Sequence, residues 1–471
     1  MRALLSPAAV LLMTGVGCSR GPQSVGGPQS STPDAAATPA AHRDALDPDI
    51  AAMRDAVDEG RLAASVQRLA GFGTRNACSA LDGAASGIGA ARDSIAASFR
   101  ALPGLEVKLH DFPVTVCPAP RTLSNVVAIL PGKDPTRAIL VGGHYDSRTV
   151  DRNDGTAPAP GANDSGSQTA LVLEAARVMA GRSFTTTVVF VAFAAEEQGL
   201  LGSAALAGDF AALFPGTSLE AVLNCDIVGG DADANDADAL QRFRLYSPGT
   251  PRETGSAPDG SSDDTSPARG LMRFIAEWGS AYVPAMTIEP KLREDRVGRG
   301  GDHEPFLAKG VTAVRFIETN ETFAHQHTPD DVFAHVTPAY TARVARVVVS
   351  VAASLARAPR APTALAATVD PAGLHLSWSP LSPPSGAERF VVAARPATES
   401  VYAHFVDVVP AQASALVDPK TLGVDGGPFF VSVATVDAAG HASMFAYPEL
   451  RCEAGVCAIP AGATDVTAVV K

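Results

Sequence analysis

The stretch at 188–203, VVFVAFAAEEQGLLGS, constrains the fold of this chain most. Its first six residues are all apolar, three of them valine, the pattern of a strand buried on both faces. Such a strand belongs inside a mostly parallel sheet with helices over it. The run stops at Glu196 and Glu197 and then turns through Gly199 and Gly202. Open α/β sheets place ligands beyond the carboxyl ends of their strands. An acid pair there also has a plainer use, since a helix N-terminus favours negative charge. The rest of the chain decides between the two.

Helical spacing of apolar residues runs from 47 to 70, and a second helix is predicted over 86–102. Strand-like runs follow at 106–116 and 123–130, and a short buried strand at 138–143 delivers His144, Tyr145, Asp146 and Ser147. After a loop rich in Asp, Asn, Gly and Pro, GANDSG opens a helix that is apolar almost all round and therefore deeply buried. The segment at 221–228 reads as another buried strand, carrying Asp226. Residues 229–268 read as loops around a strand at 243–246, an acidic insertion expected to border a cleft. A helix over 270–278, a glycine-rich loop at 298–302, a strand at 311–317 and a long apolar helix at 340–356 complete the alternation. Strands and helices in this order specify an α/β fold, a mostly parallel, helix-covered sheet. Near residue 358 the composition changes to short alternating strands with turn glycines, the pattern of a small all-β sandwich.

These changes divide the chain into a leader at 1–18, a flexible Ser/Pro/Gly tether at 19–45, a catalytic-type domain at 46–357, a sandwich at 358–450 and a tail at 451–471. The leader has Arg2, an apolar stretch and then small residues, as a secretory signal does. Cys18 resembles the acylated cysteine of a bacterial lipoprotein, with ordinary cleavage near Gly17 as the alternative. Export is expected, with one lipid at most holding the chain to a membrane. Six cysteines suit an oxidising compartment. Cys78 and Cys117 could pair, Cys452 and Cys457 could close a small loop, and Cys225 is left over in an apolar run. A net charge of -13 argues against a nucleic-acid partner, which needs a basic face.

Six groups that can bind metal or move protons stand at strand ends or in the loops after them: His144, Asp164, Glu196, Glu197, Asp226 and His327. Each alone has an ordinary structural use, as a satisfied polar residue, a helix cap or an ion-pair member. Carboxylates and imidazoles without cysteine suit zinc, or manganese or cobalt. Five ligands with one bridging carboxylate would hold two ions, and the sixth group could then take a proton from bridging water.

GGHYDS, GANDSGSQTA, FAAEEQGLLGS, NCDIVGG, GDHEPF and HTPDD occur in the order and approximate spacing of the MH-clan di-zinc aminopeptidases, the secreted bacterial leucyl and S-type enzymes among them. The chain resembles this family over about 62–356, and the sandwich resembles a fibronectin type III module. The resemblance implies the zinc exopeptidase fold and two zinc ions. It implies Asp164 as the bridge, His144 and Asp226 at one ion, Glu197 and His327 at the other, and Glu196 as general base. Asp146 would orient the His144 ring. His325 is the rival for the position of His327, and Asp302 is the likelier site-lining acid beside a structural His303. Two departures stand out: Gln326 where relatives have a tyrosine that donates to the intermediate, and Gly301 where a serine is common.

The expected function is an exported zinc aminopeptidase acting on peptide or protein N-termini. The alternatives are a glutaminyl-cyclase-like acyl transferase with a single zinc, and a binding protein on an inactive peptidase scaffold. The sandwich is expected to add surface or substrate binding.

Overall fold

The run at 188–193 is the inner part of strand β4 (Thr186–Phe193), and every residue of that strand is buried. Val188, Phe190 and Ala192 pack on one face of the sheet, and Val189, Val191 and Phe193 pack on the other. That alternation explains the unbroken apolar sequence: both faces of the strand are covered.

The computed structural model describes residues 46–82, 85–231, 236–249, 265–295, 300–379, 387–408, 413–424, 426–461 and 463. The leader, the tether and Cys18 lie outside them. The main sheet comprises β1 (Glu106–Val114), β2 (Arg121–Leu130), β3 (Asp134–His144), β4, β5 (Ser218–Cys225), β6 (Arg242–Tyr246), β7 (Thr287–Lys291) and β8 (Ala313–Glu318). Their order is β1-β2-β4-β3-β5-β8-β6-β7. The centre, β4-β3-β5-β8, is parallel throughout, whereas β1 pairs antiparallel with β2, β2 with β4 and β6 with β8. The expected α/β class is what forms.

Among the described residues eight helices accompany the sheet: α1 (Pro48–Asp55), α2 (Glu59–Ala70), α3 (Gly87–Arg100), α4 (Gln168–Met179), α5 (Leu201–Leu213), α6 (Pro267–Tyr282), α7 (Glu304–Ala308) and α8 (Pro338–Arg357). The single helix expected over 47–70 is two, because Asp58 caps a new start by accepting from the Arg61 amide. Helix α8 is long and apolar enough to cross a membrane, yet 83% of its apolar window is buried inside the fold, as a core helix would be. It packs with α1, α2, α4 and α6 on one side of the sheet, and α5 packs with α7 on the other. Strand β7 was not foreseen; its sequence, TIEPK, is polar and holds a proline, and it lies at the sheet edge where proline is tolerated.

Among the described residues the C-terminal part is two antiparallel sheets. One has three strands, β9 (Thr363–Asp370), β10 (Gly373–Ser379) and β13 (Ser414–Val417). The other has five, β11 (Ala387–Pro396), β12 (His404–Val408), β14 (Phe429–Asp437), β15 (Leu450–Glu453) and β16 (Val456–Ala458). The stretch expected to be tail from 451 onward thus begins as sheet, with Cys452 and Cys457 joined across the β15–β16 pair. Cys78 is bonded to Cys117, and Cys225 is free and buried.

Trp378, Phe390, Val392 and Val431 fill the space between the two sheets. Val391, Val436 and Ala442 instead belong to the same apolar core as α6 and α8. At that joint Glu449 is buried, accepting from Arg273 (2.7 Å), Arg395 (3.1 Å), Thr265 (2.9 Å) and Tyr402 (2.6 Å).

Candidate metal centre

Parallel strands β3 and β4 end side by side, with His144 paired in register to Phe193, and Asp226 follows β5 directly. Residues just beyond these ends share one edge of the sheet. Asp164 reaches that edge from the distorted turn Ala162–Ser167 leading into α4. His327 reaches it from the loop between β8 and α8.

The side chains converge in two sets. His144 Nε2 lies 3.3 Å from Asp164 Oδ1 and 3.4 Å from Asp226 Oδ1. His327 Nε2 lies 3.1 Å from Asp164 Oδ2 and 3.2 Å from Glu197 Oε1. Within each set the ligand atoms lie within 4.8 Å of one another, and Asp164 is common to both. Ligands around an ion bound at about 2.1 Å sit roughly 3.4 Å apart in a tetrahedron. Asp164 Oδ1 and Glu197 Oε1 are buried and accept no hydrogen bond. Oxygens left in that condition are costly unless a cation completes them. The donor set and its spacing fit divalent metal.

Other carboxylate oxygens of the two sets are held by donors from the chain. Arg148 Nε donates to Glu197 Oε2 (2.6 Å), and Arg315 Nη2 contacts Asp226 Oδ2 (2.9 Å). Gln326 Nε2 donates to Asp164 Oδ2 (2.9 Å), so the amide expected to face an intermediate is turned onto a carboxylate.

Asp146 has a larger task than the one anticipated. Its two carboxylate oxygens accept from the amides of Glu196 and Glu197 (both 3.1 Å). The His144 Nδ1 is nearer the Asp146 carbonyl oxygen (3.2 Å) than its carboxylate (3.5 Å). Adjacent residues of a strand point to opposite faces. Ala195 breaks that rule by taking a left-handed backbone (φ 58°), so the acid pair is presented together. Leu200, Ile227 and His327 are left-handed as well (φ 61°, 55° and 59°). Each such non-glycine residue costs about 1–2 kcal/mol.

Electrostatics follow from the crowding of acids. Burial and the charges of Glu197, Asp226 and Asp302 push Glu196 well above the usual carboxylate range, against the pull of His144. Burial opposes charge on His144, yet Glu196, Asp146, Asp164 and Asp226 raise its ring well above the ordinary value. Burial also works against Asp164, but contact with His144 and His327 holds it well below the usual range.

His325 is not with this group. Its Nδ1 lies 3.0 Å from Asp231 Oδ2, and its ring stacks on His335 at 3.7 Å. Asp302 and His303 are buried, and burial raises Asp302 to about 7. Sequence reasoning missed Arg148, Arg315 and Arg75. Arg75 is fully buried and donates to the carbonyls of Tyr145 (2.7 Å) and Gly161 (2.8 Å), fixing both loops that carry site acids. Nothing in the local sequence marks these arginines. Asp331, the last residue of HTPDD, accepts from the amides of Asn163 (2.7 Å) and Asp164 (2.9 Å), a role the motif hinted at without defining.

A sequence model of peptidase family M28 matches residues 125–352. A protein of Leptosphaeria maculans named as a probable zinc metalloprotease is 37% identical over 392 residues, covering 78% of this chain and 90% of that protein. The chain belongs to peptidase family M28. A second relative, a probable zinc metalloprotease of Pyricularia oryzae, is 39% identical across 76% of this chain and 77% of its own length. Among solved structures, the LapA aminopeptidase of Legionella pneumophila aligns with a TM-score of 0.50 at 20% identity, over 67% of this chain and 78% of that one. That likeness is one of fold. The match to family M28 spans His144, Asp164, Glu196, Glu197, Asp226 and His327.

Proposed function

We propose that this chain is a zinc aminopeptidase that binds two ions and releases N-terminal residues from peptides. The observation that carries the reading is the pair of three-residue sets sharing Asp164, with Glu196 next to one ligand and not itself in either Asp164 set. His144 and Asp226 would hold one ion, Glu197 and His327 the other, with Asp164 between them. When bound, the zinc ions supply a water of lowered pKa and polarise the scissile carbonyl.

The chain's own residues do the rest. Glu196, made basic by burial among acids, takes the proton of the attacking water and returns it to the leaving amine. Asp146 holds the backbone of that residue by accepting from its amide. Glu196 and Asp226, acids of the cleft lining, attract the free ammonium of the substrate. The void is about 1670 Å³, part of it open to solvent, which leaves room for peptide beyond the first residue.

The test is an assay of purified protein on aminoacyl nitroanilides, with and without chelator, alongside a zinc count. Two zinc per chain and chelator-sensitive release of the first residue are expected. Cleavage only of internal bonds, or turnover indifferent to chelator, would sink the reading. Export and a lipid on Cys18 are part of the same proposal and rest on the leader sequence. A Cys18→Ser chain that still incorporates palmitate would remove the lipid from it.

A further inference from the structure

Among the described residues three arginines line the cleft, and two are committed to its acids. Arg148 is bound to Glu197, and Arg315 bridges Asp226 and Asp295 (2.9 and 3.2 Å). The third, Arg152, is exposed, and among the described residues no acid lies within ion-pair distance of it. In a chain of net charge -13, a cation without an acid in an acid-lined cleft is the exception.

Its backbone is pinned in place. The Arg152 carbonyl accepts from Asn76 Nδ2 (2.9 Å) and from Gln198 Nε2 (2.6 Å). Asn76 is fully buried, and Gln198 is buried and directly follows Glu197. The base of the arginine is thereby tied to the turn that carries Glu196 and Glu197, while its side chain stays at the wall of the cleft. A planar guanidinium presents paired donors that match a carboxylate.

We propose that Arg152 is the receptor for a carboxylate on the substrate downstream of the scissile bond, which would direct the enzyme to short peptides or to peptides with an acidic residue there. This deepens the aminopeptidase reading and rests on it. The free carboxyl terminus of a dipeptide and an acidic side chain are the two sources of that chemistry.

Leucylglycine, leucylglycinamide and leucyl-aspartyl amide, compared on the parent and on Arg152→Ala and Arg152→Lys, separate them. The parent should cleave at least one carboxylate-bearing peptide about tenfold better in kcat/KM than leucylglycinamide, through KM. Leucylglycine alone favoured assigns the terminal carboxylate, and leucyl-aspartyl amide alone the side chain. Arg152→Ala should abolish the preference and leave leucylglycinamide within twofold of the parent, with Arg152→Lys recovering part. An unchanged ratio in Arg152→Ala overturns the proposal. Absence of cleavage of all three, and of a nitroanilide, overturns the aminopeptidase reading instead. Calorimetry on zinc-loaded protein then still decides for Arg152: the carboxylate peptides should bind about tenfold tighter than the amide, and a difference that survives Arg152→Ala refutes it.

Discussion

Two regions of this molecule bury several charges, and they do so in opposite ways. At the joint between the helical layer and the C-terminal sheets, Glu449 is surrounded by donors from Arg273, Arg395, Thr265 and Tyr402. At the sheet edge, six acids gather (Asp146, Asp164, Glu196, Glu197, Asp226 and Asp302), and the arginines that touch them reach only the outer oxygens of two. The first cluster is finished by protein. The second keeps inward-facing oxygens of Asp164 and Glu197 without a donor. A buried charge that the chain has satisfied is a joint, and one that it has left open is a site for something else to complete.

The widest gap between the regions should be seen in catalysis. Glu196→Gln is expected to lower kcat by about 10²–10⁴-fold while zinc content stays at the parent level. Turnover near that of the parent would mean that another group moves the proton. At the joint the loss should be in stability alone. Glu449→Ala leaves Arg273 and Arg395 buried without their acid and is expected to destabilise by about 3–5 kcal/mol, read by urea unfolding. A change below about 1 kcal/mol would show that Glu449 does not hold the joint together.

The two regions also part on the acid side. Contact with Arg273 and Arg395, opposed by burial, lowers Glu449 to about 2 from an ordinary 4.5. A depressed carboxylate stabilises fully above its unfolded value, and the contribution fades as pH falls through 4.5 towards 2. Roughly 3 kcal/mol should disappear over that window, and melting curves of Glu449→Gln should lack this limb. The smallest effect is expected from the arginines behind the proposed ligands. Arg148→Ala should weaken zinc binding by about 10–100-fold, measured by competition with a chelator, without altering the melting of chelated protein by more than a degree or two.

The strand at β4 and the six groups near strand ends were legible because they depend on local pattern and residue type. A two-sided strand must read as an apolar run, and metal ligands are drawn from few residue types. What supports them was not legible. Arg148, Arg315 and Arg75 meet their partners across 49 to 89 residues of chain, and no spacing rule links such positions. The role of Asp146 was half visible: its place two residues after His144 suggested a partner for that ring. Its grip on the amides of Glu196 and Glu197 depends on β3 and β4 being neighbours. The C-terminal sheets were read as a separate module because composition shifts near 358. Composition does not reveal that Val391, Val436 and Ala442 complete the core beneath α6 and α8.

The left-handed residues around the cleft bear on how this protein can change. Ala195, Leu200, Ile227 and His327 hold a backbone that glycine would adopt with less strain. A search for more stable variants would be drawn to those positions, yet glycine there would remove the side chain or loosen the turn that aims its neighbours. The rim of the cleft is thus the part of the molecule where selection for robustness and selection for chemistry pull in different directions.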